Sequence, residues 1–125
     1  MNEKTTCACG AAPKLIFPCS GESDVGKLTD EAARKLTKDG KGRMYCLAGI
    51  GGRVSGIMET TKSAAKILVI DGCPLDCARN TMEQAGFKGF EHLRLADIGI
   101  EKGKSPVTDD RIAKVADAVS AKLAG

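Results

Sequence analysis

Lys66-Ile67-Leu68-Val69-Ile70-Asp71-Gly72-Cys73-Pro74-Leu75-Asp76-Cys77 is the stretch from which the fold can be read. Its first half is an almost unbroken β-branched and leucine run, as a strand covered on both faces requires. Strands of that kind occur in parallel sheets, where helices make the crossovers and cover the faces. Gly72 ends the strand, and a helix is expected to follow as far as about Ala85. Cys73 suits its N-cap, with Pro74 at the first helical position, where a missing N–H costs nothing. Gly86 is placed to close it.

The same alternation recurs on either side. Upstream, Lys14-Leu15-Ile16-Phe17-Pro18-Cys19 reads as a short buried strand, and Ser20-Gly21 as a turn. A helix is expected from about Asp24 to Asp39, with Leu28, Ala32 and Leu36 on one face and Gly40 as its stop. Arg43 to Ala48 reads as a second strand, Gly49-Ile50-Gly51-Gly52 as a glycine-rich turn, and Val54 to Ala64 as a helix. Downstream, Glu91 to Ile98 reads as a fourth strand through Leu93 and Leu95. Thr108 or Asp109 should cap a last helix carrying Ile112, Val115, Ala116, Val119 and Leu123 at helical spacing. The order β-α-β-α-β-α-β-α predicts one three-layer α/β domain over residues 14–125, with a mostly parallel sheet of about four strands and helices on both faces. Residues 1–13, polar and small up to Pro13, read as a flexible N-terminal arm.

Composition narrows the function classes. The 125 residues are 42% hydrophobic and 28% charged, which fits a folded globule. Aromatic residues are only 3%, too few for a base-stacking platform. Nineteen Lys and Arg against sixteen Asp and Glu leave a net charge of +3, too mild and too scattered to argue for nucleic acid or a membrane surface. The start, MNEKTTCACG, has no apolar secretory core, and no apolar run approaches a membrane span, so a cytoplasmic protein is expected.

The unusual count is six cysteines: Cys7, Cys9, Cys19, Cys46, Cys73 and Cys77. Disulfides are the weaker reading for a chain of this size and setting. Cys19 ends the first strand, Cys46 lies near the end of the second, Cys73 follows the third, and Cys77 falls in the first turn of the next helix. In an open parallel sheet all strands end on one edge, where such folds bind ligands. Four cysteines distant in sequence should therefore converge there. Four thiolates suit Zn²⁺, which takes tetrahedral sulfur ligation. The same donors suit an iron–sulfur cluster. Cys73 or Cys77 could instead be the nucleophile of a thiol redox or sulfur-transfer enzyme. The bland alternative is four small buried hydrophobes.

At Cys19-Ser20-Gly21, at Cys46-Leu47-Ala48-Gly49-Ile50-Gly51-Gly52 and at Asp71-Gly72-Cys73-Pro74-Leu75-Asp76-Cys77 the sequence resembles the DGC-domain family. The similarity runs from about Lys14 to Gly103 and takes in Asp97-Ile98-Gly99 and Lys102-Gly103. It implies zinc binding through four cysteines, which match Cys19, Cys46, Cys73 and Cys77 here, and implies no particular reaction. Cys7 and Cys9 lie outside the matched region.

Other motifs carry less. Cys73 to Arg79 fits the C-x5-R phosphate loop, but that loop would lack an internal Gly, lose a donor at Pro74 and hold Asp76 against the phosphate. Gly49-x-Gly51-Gly52 reads better as a close-packed turn than as an anion cradle. Ser20 to Asp24 reads as a helix cap. His92, the only histidine, is expected at the surface or an edge, without a catalytic role. Asp71 is expected to cap the loop beside Cys73 through backbone N–H groups. Asp97, at the end of the fourth strand, is expected to face the same edge, and Cys7-x-Cys9 is open to a labile disulfide, to passing a metal to the main site or to no role.

Overall fold

The computed structural model describes residues 12–124. Cys7, Cys9 and most of the expected N-terminal arm lie outside the described residues. Pro13 lies within them, and its carbonyl accepts a hydrogen bond from the Ala65 N–H at 2.8 Å.

Four strands form one sheet: β1 (Lys14–Pro18), β2 (Arg43–Met44), β3 (Lys66–Asp71) and β4 (Glu91–Arg94). Their order is β2-β1-β3-β4, and every pairing is parallel. The helices are α1 (Asp24–Lys38), α2 (Leu47–Gly51), α3 (Ser55–Lys62), α4 (Cys77–Gln84) and α5 (Asp109–Ala124). A 3₁₀ turn, Leu95–Ile98, follows β4.

Period-two alternation divides the core into two layers. Ile16, Leu68, Ile70 and Leu93 face α1 and α5, meeting Leu28, Ala32, Val115 and Val119. Leu15, Phe17 and Val69 face the other way, against Ile50, Ala78 and Met82, with Ile57 and Met58 of α3 alongside. Burying each such aliphatic side chain contributes about 2 kcal/mol. The expected architecture, a parallel α/β sheet covered on both faces, is the observed one.

Helix ends follow their sequence signals. The Ser23 hydroxyl accepts from the Gly26 N–H at 3.1 Å, and the Thr108 hydroxyl accepts from the Arg111 N–H at 3.2 Å. Two strand ends and the glycine-rich turn need correction. The second strand stops at Met44, because the chain turns into α2 with Cys46 as its N-cap. Gly49 and Gly51 are therefore helical and not a turn; a Cβ on Gly49 would run into the tip of the Ile57 side chain, which would have to shift where α2 meets α3. The fourth strand stops at Arg94, and Leu95 stays buried from within the 3₁₀ turn.

The chain moves outward from β1 to β2, then crosses back to β3 and on to β4. Where the direction reverses, between β1 and β3, the carboxyl ends of the two strands border a crevice. Cys19 follows β1 and Cys73 follows β3 by two residues, so both stand at that crevice. Close packing fixes one wall: a Cβ on Gly26 would lie 2.7 Å from the Gly21 Cα. Gly26→Ala is therefore expected to destabilise by about 1–3 kcal/mol, because backbone must move. Gly56→Ala, exposed in α3 with nothing within 4 Å, should instead be neutral or stabilising by about 0.5 kcal/mol. Urea unfolding of both variants checks the pair, and equal effects would contradict the packing argument.

Candidate functional site

The Cys19 N–H donates to the Ile70 carbonyl at 2.9 Å, extending the β1–β3 pairing by one residue. Its Sγ lies 3.5 Å from the hydroxyl of buried Thr29. Thr29 in turn accepts from the Ser20 N–H at 3.2 Å and donates to the Gly26 carbonyl at 2.7 Å. Cys19 and Cys73 are half-buried, while Cys46 and Cys77 are exposed; all four are free thiols. The Cys46 Sγ accepts from the Gly49 N–H at 3.3 Å. Cys77 is the first residue of α4.

Cys19, Cys73 and Cys77 line one crevice of about 210 Å³ at the switch point, with Gly21, Gly72 and Lys102. Cys19 and Cys46 border the adjoining groove of about 450 Å³. Lys102 is brought to the crevice by the Asp24 carboxylate, which accepts from the Gly103 and Ser105 N–H groups at 3.0 Å each. Those two bonds hold the Asp24 carboxyl below the usual aspartate range.

The donors suit a soft metal ion in kind, and three of them share one crevice. They are not drawn into a single cluster: no three of the four sulfurs lie within 4.8 Å of one another. Tetrahedral zinc with Zn–S bonds of about 2.3 Å needs sulfurs about 3.8 Å apart. Holding one ion through all four cysteines therefore requires their loops to close on it.

Beside the thiols lies a network of Asp71, Asp76, His92 and Arg94. Asp71, at the end of β3, is 1% exposed. Its Oδ1 accepts from the Ala78 N–H at 2.8 Å and its Oδ2 from the Arg79 N–H at 3.0 Å. It thus caps the loop, as expected, and does so from the strand before it. This corrects the expected start of the helix: α4 begins at Cys77, not after Cys73, and its N-cap residue is Asp76, left-handed at φ +55°. Asp76 makes no side-chain cap, because its carboxylate turns to Arg94, with Nε–Oδ1 2.9 Å and Nη2–Oδ2 2.5 Å.

His92 lies on edge strand β4 but not at the surface. Its side chain is 17% exposed, and Nε2 is 2.8 Å from Asp71 Oδ2. Both Asp71 oxygens already accept backbone N–H groups, so Nε2 is the donor. Asp71, Asp76 and His92 bring one ligand atom each within 4.8 Å of the others. Each is already taken, by helix amides, by Arg94 and by Asp71, so the trio is a structural network. Asp97 is exposed in the 3₁₀ turn, with its charge near enough to favour the Arg94 guanidinium.

The phosphate-loop reading has no support here. The amides of residues 78 and 79, which such a loop would offer to an anion, are bound to Asp71. The Arg79 guanidinium pairs along the helix with Glu83 at 3.2 Å.

The Arg94 hydrogen bonds hold the Asp76 carboxyl below the usual aspartate range. A carboxyl with a lowered folded-state pKa stabilises fully above its unfolded value, near pH 4, and stops doing so as pH falls through the folded value. Asp76→Asn should cost about 1 kcal/mol at pH 7. Urea unfolding should show that deficit shrinking steadily below pH 4, and a deficit constant with pH would contradict the assignment.

Among the described residues no helix is long and apolar enough to cross a membrane. The DGC domain model matches residues 15–119. The Anaerobic and virulence modulator AnvM of Pseudomonas aeruginosa is 34% identical over 88 residues, which cover 70% of this chain and 67% of AnvM. No solved structure matches significantly. The matched span holds the four strands but for Lys14, together with Cys19, Cys46, Cys73 and Cys77 and the Asp71-Gly72-Cys73 signature. The chain belongs to the DGC domain family.

Proposed function

We propose that this protein binds one zinc ion through Cys19, Cys46, Cys73 and Cys77 and works as a small metal-dependent modulator in the cytoplasm. The observation that carries the reading is the meeting of Cys19, Cys73 and Cys77 around one crevice at the switch point, with Cys46 across the adjoining groove. Bound there, zinc would supply a fixed charge and a cross-link among the ends of β1, β2 and β3. The chain has its own two-layered core, so the metal adds stability without being needed for folding. A reducing compartment keeps such thiols available. The modulating role follows the name of AnvM, an anaerobic and virulence modulator, and suits a thiol site that responds to oxidants or metal supply.

A second reading, thiol redox or sulfur-transfer chemistry at Cys73 or Cys77, draws on two observations. Cys77 is exposed at a helix start, and no three of the four sulfurs lie within 4.8 Å of one another.

Elemental analysis of anaerobically purified, untagged protein separates the two. About one zinc per chain is expected, with Cys73→Ser losing most of it while far-UV circular dichroism stays unchanged. Unchanged zinc in Cys73→Ser would sink the four-cysteine assignment. Metal-free protein with one fast-alkylating cysteine would favour the thiol enzyme, and iron with inorganic sulfide would replace zinc by an iron–sulfur cluster.

A further inference from the structure

Residues 72–77 carry two of the four thiols and are held from outside, by strand β4. His92 and Arg94 are two residues apart on β4 and so point to the same face. They lie in register with Val69 and Asp71 of β3, on the face that α4 covers. His92 donates to Asp71, and Asp71 grips the first amides of α4. Arg94 grips Asp76 through both carboxylate oxygens. The loop is thus fixed just before Cys73 and just before Cys77.

Backbone conformation adds an independent observation. Asp76 is left-handed, which costs a non-glycine residue about 1 kcal/mol and persists only where surroundings hold it. The Arg94 fork is such a hold, and Cys77 is the next residue. Within the loop, the Asp76 N–H donates to the Cys73 carbonyl at 3.2 Å, and Asn80 Nδ2 to the Leu75 carbonyl at 3.2 Å. Turning Asp76 therefore moves the segment between the two thiols.

We propose that His92 and Arg94 are positioning residues: through Asp71 and Asp76 they set how Cys73 and Cys77 are presented to the crevice. Neither touches a sulfur as a ligand would. Their effect reaches the thiols through two carboxylates, in the way outer partners orient metal ligands. The reading of Cys73 and Cys77 as ligands underlies only the metal half of the test.

The test uses the full chain with His92→Leu, His92→Gln and Arg94→Gln. Cobalt is titrated into metal-free protein and followed by thiolate-to-cobalt absorption. Alkylation rates of Cys73 and Cys77 are mapped separately by mass spectrometry without metal. His92→Leu should weaken cobalt binding by about 10–100-fold. It should also speed alkylation of half-buried Cys73 several-fold, with the circular dichroism spectrum unchanged. His92→Gln, whose amide nitrogen can take the place of Nε2, should recover most of both. A His92→Leu protein with only a lower melting temperature, and wild-type cobalt affinity and alkylation, would overturn the proposal, as would a Gln variant no better than Leu. Should His92→Leu fail to fold, Arg94→Gln makes the same comparison through Asp76. A wild-type chain that takes up no cobalt would defeat the metal reading, and the Cys73 alkylation rates would then decide this one alone.

Discussion

Parallel pairing of β1 with β3, in register from Lys14–Lys66 to Pro18–Ile70, is the constraint on which the carboxyl edge depends. Both strands are buried on both faces, so their register cannot slip without moving apolar side chains between the two layers. That register sets Cys19 beside the end of β3 and fixes its N–H on Ile70. It also leaves the chain no close connection between the two strands, since β2 and three helices intervene. The crevice is thus a product of topology, and the residues after each strand supply its chemistry.

Asp71 converts that edge into a site. A buried carboxylate is expensive unless its oxygens are satisfied. Here two amides of α4 and the imidazole of His92 satisfy them, and the positive end of the helix dipole lies against the charge. The strand end, the edge strand and the helix start are thereby locked together around the Cys73–Cys77 loop. Gly72 has to be glycine for the same closeness, because a Cβ would lie 2.8 Å from the Val25 side chain. The Asp-Gly-Cys signature therefore has a physical reading: a charge to hold the helix, no side chain at the α1 contact, and a thiol at the crevice.

Much of this could be read in the sequence where local pattern and tertiary packing agree. Ile67 to Ile70 could only be a central strand, and Leu28, Ala32 and Leu36 could only face a core. Helix α2 is hidden because five residues with two glycines have turn-like propensity, and the Ile57 contact accounts for Gly49 alone. The apolar pattern carries the fourth strand too far because Leu95 keeps the alternation of a strand while belonging to a 3₁₀ turn. Nothing local in the sequence points to Arg94 or gives Asp76 a partner, because their bond joins residues 18 apart. The one available signal was His92-x-Arg94 at period two on a strand neighbouring an Asp-containing loop. The convergence of Cys19, Cys73 and Cys77 followed from strand ends alone, whereas sulfur separations depend on loop closure, which spacing does not encode.

The central claim is that these thiols close on one ion. X-ray absorption at the zinc edge of the protein as purified tests it most directly, because it counts the atoms around the metal. Four sulfurs at about 2.3 Å are expected. A shell dominated by nitrogen or oxygen, or no bound zinc, would contradict it.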